Sequence, residues 1–205
     1  MSQMVKDFDW RRPGTFLPVA MAASFKPRTF FAQMDNRGDI ASPLVFLLVI
    51  HITTWVGGLL GEALLQGVPG DLNIGFLSQN LLRILIFAAF FYTIGHHVMR
   101  SSYPFSGFLR IFAYASGIWT LAALMPFLPL SISMPLGAIL ALYVLFLLFM
   151  GLREAAGLSV PLAAGVLMLS VVGVLILMSL IGGLTVTAPS QGSTGLSAPG
   201  VGAGK

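Results

Sequence analysis

Two charged side chains, Glu62 and Arg83, stand inside otherwise apolar stretches, and such residues are the natural candidates for intramembrane chemistry. Glu62 lies about three residues before the end of one stretch, and Arg83 about six residues after the start of the next. At about 1.5 Å per residue, the two reach similar depths in an antiparallel hairpin. They can then form an ion pair, with Arg83 snorkelling toward the headgroups, or line a path for an ion or solute. The ion pair is the simpler reading, because both groups stay near headgroup depth.

Histidine offers a second kind of chemistry, at His51, His96 and His97. His96 and His97 are adjacent and project about 100° apart on a helix, whereas metal-binding helices favour i and i+4 pairs. Beside Arg100, they suit lipid phosphate or water better than a metal ion. His51 lies deeper and is placed to hydrogen-bond across helices. There is no cysteine, which excludes disulfides, thiolate metal sites and a cysteine nucleophile. Gly-x-Ser-x-Gly, His-Glu-x-x-His and Gly-x-x-x-x-Gly-Lys motifs are all missing, and the few carboxylates form no acid–base dyad. The expectation is therefore no catalytic residue, no metal, no cofactor and no enzymatic activity.

The elements that must position these residues are five apolar stretches, at about 43–65, 77–99, 105–128, 134–152 and 160–184. About 20 helical residues cross a hydrocarbon layer about 30 Å thick, and each stretch is long enough. The runs are continuous, without the alternation of barrel strands, so helix is the expected form. Pro43, Pro104, Pro135 and Pro161 fall near the starts, where a missing N–H costs least. Composition agrees: 57% of the 205 residues are hydrophobic and 9% are charged, too few charges to coat a soluble domain. The expected fold is all-α, a polytopic five-helix transmembrane bundle.

The net charge of +4 is not clustered as nucleic-acid binding requires. Lys6, Arg11, Arg12, Lys26, Arg28, Arg37, Arg100, Arg110 and Arg153 alternate onto one side of the five crossings, leaving Arg83 and Lys205 opposite. Positive-inside logic then places the N-terminus inside and the C-terminus outside. Residues 1–42 form a cytoplasmic tail in which Phe16, Leu17, Val19, Met21, Phe25, Phe30 and Phe31 mix with Lys26 and Arg28. It reads either as a short interfacial helix broken at Pro27 or as a flexible tail. Residues 185–205, rich in Gly, Ser, Ala and Pro, read as a disordered tail.

Further residues follow from these positions. Gly57 with Gly61, and Ala113 with Gly117, are small-xxx-small pairs that allow close helix approach, within one bundle or between two copies. His96, His97, Arg100 and Arg110 are expected at lipid headgroups. Trp119, near mid-span, is expected in packing or in a cavity wall.

Three segments carry a family likeness. They are Pro27, Phe30 and Phe31 leading to Ser42-Pro43-Leu44-Val45-Phe46, then residues 103–110 (Tyr-Pro-Phe-Ser-Gly-Phe-Leu-Arg) leading to Ala113-Tyr114-Ala115-Ser116, and last residues 151–159 (Gly-Leu-Arg-Glu-Ala-Ala-Gly-Leu-Ser). Over roughly residues 25 to 184 the chain resembles the bacterial branch of the Yip family, named for Ypt-interacting proteins. The resemblance implies five spans and a cytoplasmic N-terminal region, which in eukaryotic members binds Rab-type GTPases in vesicle traffic. Their Asp-Leu-Tyr-Gly-Pro signature is absent here, so a Rab-type partner is not expected. For bacterial members the resemblance implies no single activity, and transport is one role considered. The function expected is that of a non-enzymatic interaction, scaffolding or membrane-organising subunit of the bacterial cytoplasmic (inner) membrane. Its expected partners are the lipid bilayer and either another protein or a second copy of the chain. A small-solute or ion transporter is the alternative.

Overall fold

The computed structural model describes residues 7–35, 39–66, 74–98, 100 and 102–186. Helices dominate them. A 3₁₀ turn, Pro13–Thr15, leads into α1 (Phe16–Phe25) and α2 (Pro27–Gln33). The long elements are α3 (Ala41–Gln66), α4 (Ile74–Thr93), α5 (Phe105–Ala115), α6 (Leu130–Glu154) and α7 (Val160–Val186). A π-helical turn, Ile94–Val98, continues α4, and a 3₁₀ segment, Ser116–Phe127, continues α5. Among the described residues four helices are long and apolar enough to cross a bilayer: Ala41–Leu65, Phe105–Phe127, Leu130–Glu154 and Val160–Leu177. A shorter apolar helix runs over Ile84–His97. The expected Gly- and Ser-rich tail lies outside the described residues from position 187 onward.

The exposed surface of the long helices is greasy. Leu130 is 72% exposed, Leu142 67% and Met168 64%, and none of these is shielded within the bundle. Contiguous apolar surface on this scale needs hydrocarbon rather than water around it. The interior is built from small, aliphatic and aromatic side chains, including Ala113, Ala115, Phe46, Phe108 and Leu147, all buried.

The third apolar stretch departs from its expected form. It begins as an α-helix after Pro104 but winds as 3₁₀ for the twelve residues Ser116–Phe127, whereas 3₁₀ runs beyond three or four residues are uncommon. The Ser116 hydroxyl donates to the Phe112 carbonyl at 2.8 Å, and that of Thr120 to the Gly117 carbonyl at 2.7 Å. The narrower winding lies against Gly57 and Gly61 of α3, where the chains approach very closely: a Cβ on Gly57 would come within 2.7 Å of the Ala123 Cα, and one on Gly61 would overlap Pro126.

The N-terminal segment is helical and interrupted at Pro27, and it is packed into the bundle rather than lying apart from it. Val19, Ala20, Ala23 and Ser24 form the buried face of α1. Their small size lets α1 approach the chain at Gly117, whose Cβ position is 3.4 Å from the Ala20 Cα. Leu17, Met21 and Phe25 point outward at 61%, 52% and 70% exposure. They recur every four residues and so form one apolar stripe. The Tyr143 hydroxyl of α6 donates to the Ser24 carbonyl at 2.6 Å. Arg28 of α2 meets Glu154, the last residue of α6, at 3.5 Å. Gly157, with φ of 66°, then turns the chain away from α6, in a left-handed conformation that glycine adopts without Cβ strain.

Candidate functional site

Arg110 and Tyr114 are four residues apart on α5, so their side chains share one face. That face turns into the bundle, and Arg110 and Tyr114 are both 0% exposed. A guanidinium in such a place needs acceptors for its hydrogens and compensation for its charge. Three aspartates outside the apolar stretches supply both. Arg110 Nη1 donates to Asp7 Oδ2 at 2.5 Å and to the Asp35 carbonyl at 2.7 Å. Arg110 Nη2 donates to the Asp39 carbonyl at 2.7 Å and to Asp39 Oδ1 at 3.3 Å. The Tyr114 hydroxyl donates to the second oxygen of Asp7, which also accepts the Phe8 N–H at 2.9 Å.

Geometrically this is a clasp. Asp7 precedes α1, Asp35 follows α2 and Asp39 precedes α3, so one guanidinium gathers both ends of the α1–α2 unit. Aromatic rings close around it. Tyr114 meets Phe46 at 5.0 Å and Phe30 at 5.5 Å, both edge to face, and Phe8 meets Phe46 at 5.5 Å. Tyr103 is buried against Phe108. Burial pushes the Asp7 carboxyl above its ordinary range, and the Tyr114 hydrogen bond, the Arg110 charge and the Phe8 N–H pull it back only in part. Burial likewise raises the Tyr103 phenol, opposed by Arg110.

Arg110 therefore does not reach lipid headgroups, as its position one turn into the span led us to expect. Four carbonyl and carboxylate acceptors close at hand outcompete a snorkelling route. The residue type and depth were legible, but the partners were not: nothing in the spacing of Asp7, Asp35 and Asp39 ties them to position 110, some 70 to 100 residues away. The nearest signal was an arginine inside an apolar span with no acidic neighbour on its own helix.

The other candidates are dispersed. Glu62 is exposed on α3, and the side chain of Arg83, its proposed partner, lies outside the described residues. Gly57 and Gly61 face the 3₁₀ segment of the same chain, Ala113 is buried, and Gly117 faces Ala20 and Phe46. His96 stacks on Tyr92 with ring centroids 5.1 Å apart, and His97 stands edge-on to His96 at 4.9 Å. His97 and Arg100 are exposed. Among the described residues no group of three or more His, Cys, Asp or Glu side chains could hold a metal ion.

Apolar helices of spanning length, lipid-compatible exteriors and a buried ionic clasp define a polytopic helical membrane protein. A model of the Yip1 domain matches residues 21–182, and the chain belongs to this family. Neither curated proteins nor solved structures yield a match.

Proposed function

We propose that this protein is a non-enzymatic subunit of the bacterial cytoplasmic membrane that organises other proteins through a folded N-terminal platform. The Arg110 clasp carries the reading. The Nη1 and Nη2 donors of a buried guanidinium fasten Asp7, Asp35 and Asp39 of the N-terminal segment rather than a substrate. Fastened in this way, the segment presents exposed Trp10, Arg11, Arg12 and Arg28 as a fixed surface for a protein partner or a second copy. We further propose five crossings, with α4 and its π turn as the fifth. Ile74–Val98 holds twenty α-helical and five π-helical residues, enough for about 30 Å of hydrocarbon. The N-terminus then lies inside, where nine of the eleven Lys and Arg residues fall.

The test is purification from membranes in mild detergent, with cross-linking before extraction. A stoichiometric partner or homo-oligomer that is lost on Arg110→Met is expected. A monodisperse protein that moves solute in liposomes, with no partner, overturns the reading in favour of transport. Topology is checked by single cysteines, since the chain has none of its own. Asp71→Cys should label from outside, and Ser101→Cys only from inside.

A further inference from the structure

Between α3, α4 and the α5–3₁₀ span lies a recess of about 330 Å³, within the range of roughly 300–1,000 Å³ found for small-molecule sites. Most of its wall is apolar, with Ile84, Phe112 and the ring of Trp119 among the lining groups. Three polar side chains interrupt that wall: His51, Thr54 and Ser116. The hydrogen-bonding state of each is fixed by a backbone carbonyl, which can only accept. His51 Nδ1 lies 2.8 Å from the Leu47 carbonyl, so Nδ1 carries the hydrogen, which in an uncharged ring leaves the lone pair on Nε2. Thr54 donates to the Ile50 carbonyl at 2.9 Å, and Ser116 to that of Phe112 at 2.8 Å. Each hydroxyl oxygen retains acceptor capacity. The recess therefore offers three acceptors against at most one donor, the Trp119 indole.

Depth sharpens the chemistry. His51 is ten residues from the start of α3 and Ser116 eleven from the start of α5. Both distances come to about 15 Å, or half the hydrocarbon thickness. A charged ligand finds no counter-charge in this wall and is costly at such depth. A purely apolar ligand leaves the acceptors unused, and a lone water leaves most of the volume unfilled. We infer that the recess binds a small lipophilic molecule bearing one hydrogen-bond donor, an alcohol or phenol. Its hydroxyl is received by His51 and its carbon body lies against Trp119 and Phe112. This inference stands apart from the scaffolding reading and does not need it.

The test uses the full chain in phosphatidylcholine nanodiscs, with Trp10→Phe and Trp55→Phe leaving Trp119 as the sole indole. Quenching by 4-bromophenol is compared with quenching by 4-bromoanisole, its methyl ether, after correction for partitioning into lipid. Saturable quenching is expected, with the phenol about tenfold tighter than the ether, the effect of one net hydrogen bond. His51→Phe should bring the two within about threefold. Quenching that rises linearly for both compounds, equal saturation by both, or a phenol advantage that survives His51→Phe would each overturn the assignment. If His51→Phe does not fold, the comparison of phenol with ether on the parent protein decides by itself.

Discussion

Arg110→Met removes the guanidinium as donor to Asp7 Oδ2, to Asp39 Oδ1 and to two carbonyls. Four hydrogen bonds to three aspartates are lost. Breaking a buried pair by deleting one partner costs about 3–5 kcal/mol. Asp7 is 23% exposed and Asp39 49% exposed, so water recovers part of what they lose. The lower end, about 3 kcal/mol, is therefore expected, which weakens docking of the N-terminal unit about 150-fold. Ala23→Cys supplies the readout, because Ala23 is 0% exposed on the docked face of α1 and the native chain has no thiol. In detergent, the rate of labelling by a small maleimide follows the undocked population when undocking is fast. The rate should rise about 100-fold on adding Arg110→Met, and less than tenfold on adding Asp39→Ala, whose carboxylate is half in solvent. A rate in Arg110→Met within threefold of the parent would refute the clasp.

Three further outcomes follow from the same geometry. Gly57→Ala and Gly61→Ala should each destabilise by about 1–3 kcal/mol, seen as a lower thermal midpoint in detergent, because the added methyl meets Ala123 or Pro126. Gly58→Ala, with nothing within 4 Å of its Cβ position, should not. Tyr143→Phe should loosen α1 by about 1 kcal/mol, raising Ala23→Cys labelling about fivefold, since its hydroxyl holds the Ser24 carbonyl. The clasp should also tighten toward acid. The Asp7 carboxyl is raised above its unfolded value of 3.8, so the docked state binds the proton more strongly. Its contribution is full below that unfolded value and is lost as pH rises through the raised one. Asp7→Asn should flatten this dependence, measured as labelling relative to an exposed reference cysteine.

Hydrophobic runs such as Met134–Leu152 and Val160–Leu184 were readable because hydrocarbon demands length and continuity of any segment that crosses it. Pro104 marked a boundary through local backbone chemistry, which sequence displays directly. What stayed hidden was long-range and polar. The aspartates of the clasp lie in residues 7–39, and only the folded chain brings them to Arg110. The docking of α1 was also obscure, because Phe16–Phe25 is apolar on nearly every side and shows no amphipathic stripe. Its buried face, Val19, Ala20, Ala23 and Ser24, carries the smaller side chains, while Leu17, Met21 and Phe25 face outward. The pair Gly57 and Gly61 signalled that α3 draws close to a neighbour, but no local pattern marked the 3₁₀ winding of Ser116–Phe127 that lies against it.

The bond from Tyr143 to Ser24 joins residues 119 positions apart, and that from Arg110 to Asp7 joins residues 103 apart. A ribosome emits the N-terminal unit long before either partner exists. At roughly 5–20 residues per second, α1 waits on the order of ten seconds for α6 to be made. Through that interval the face of α1 that later packs inside, Val19, Ala20, Ala23 and Ser24, has only lipid or a chaperone to shelter it. A unit synthesised before the helices that hold it thus waits for them to find its place.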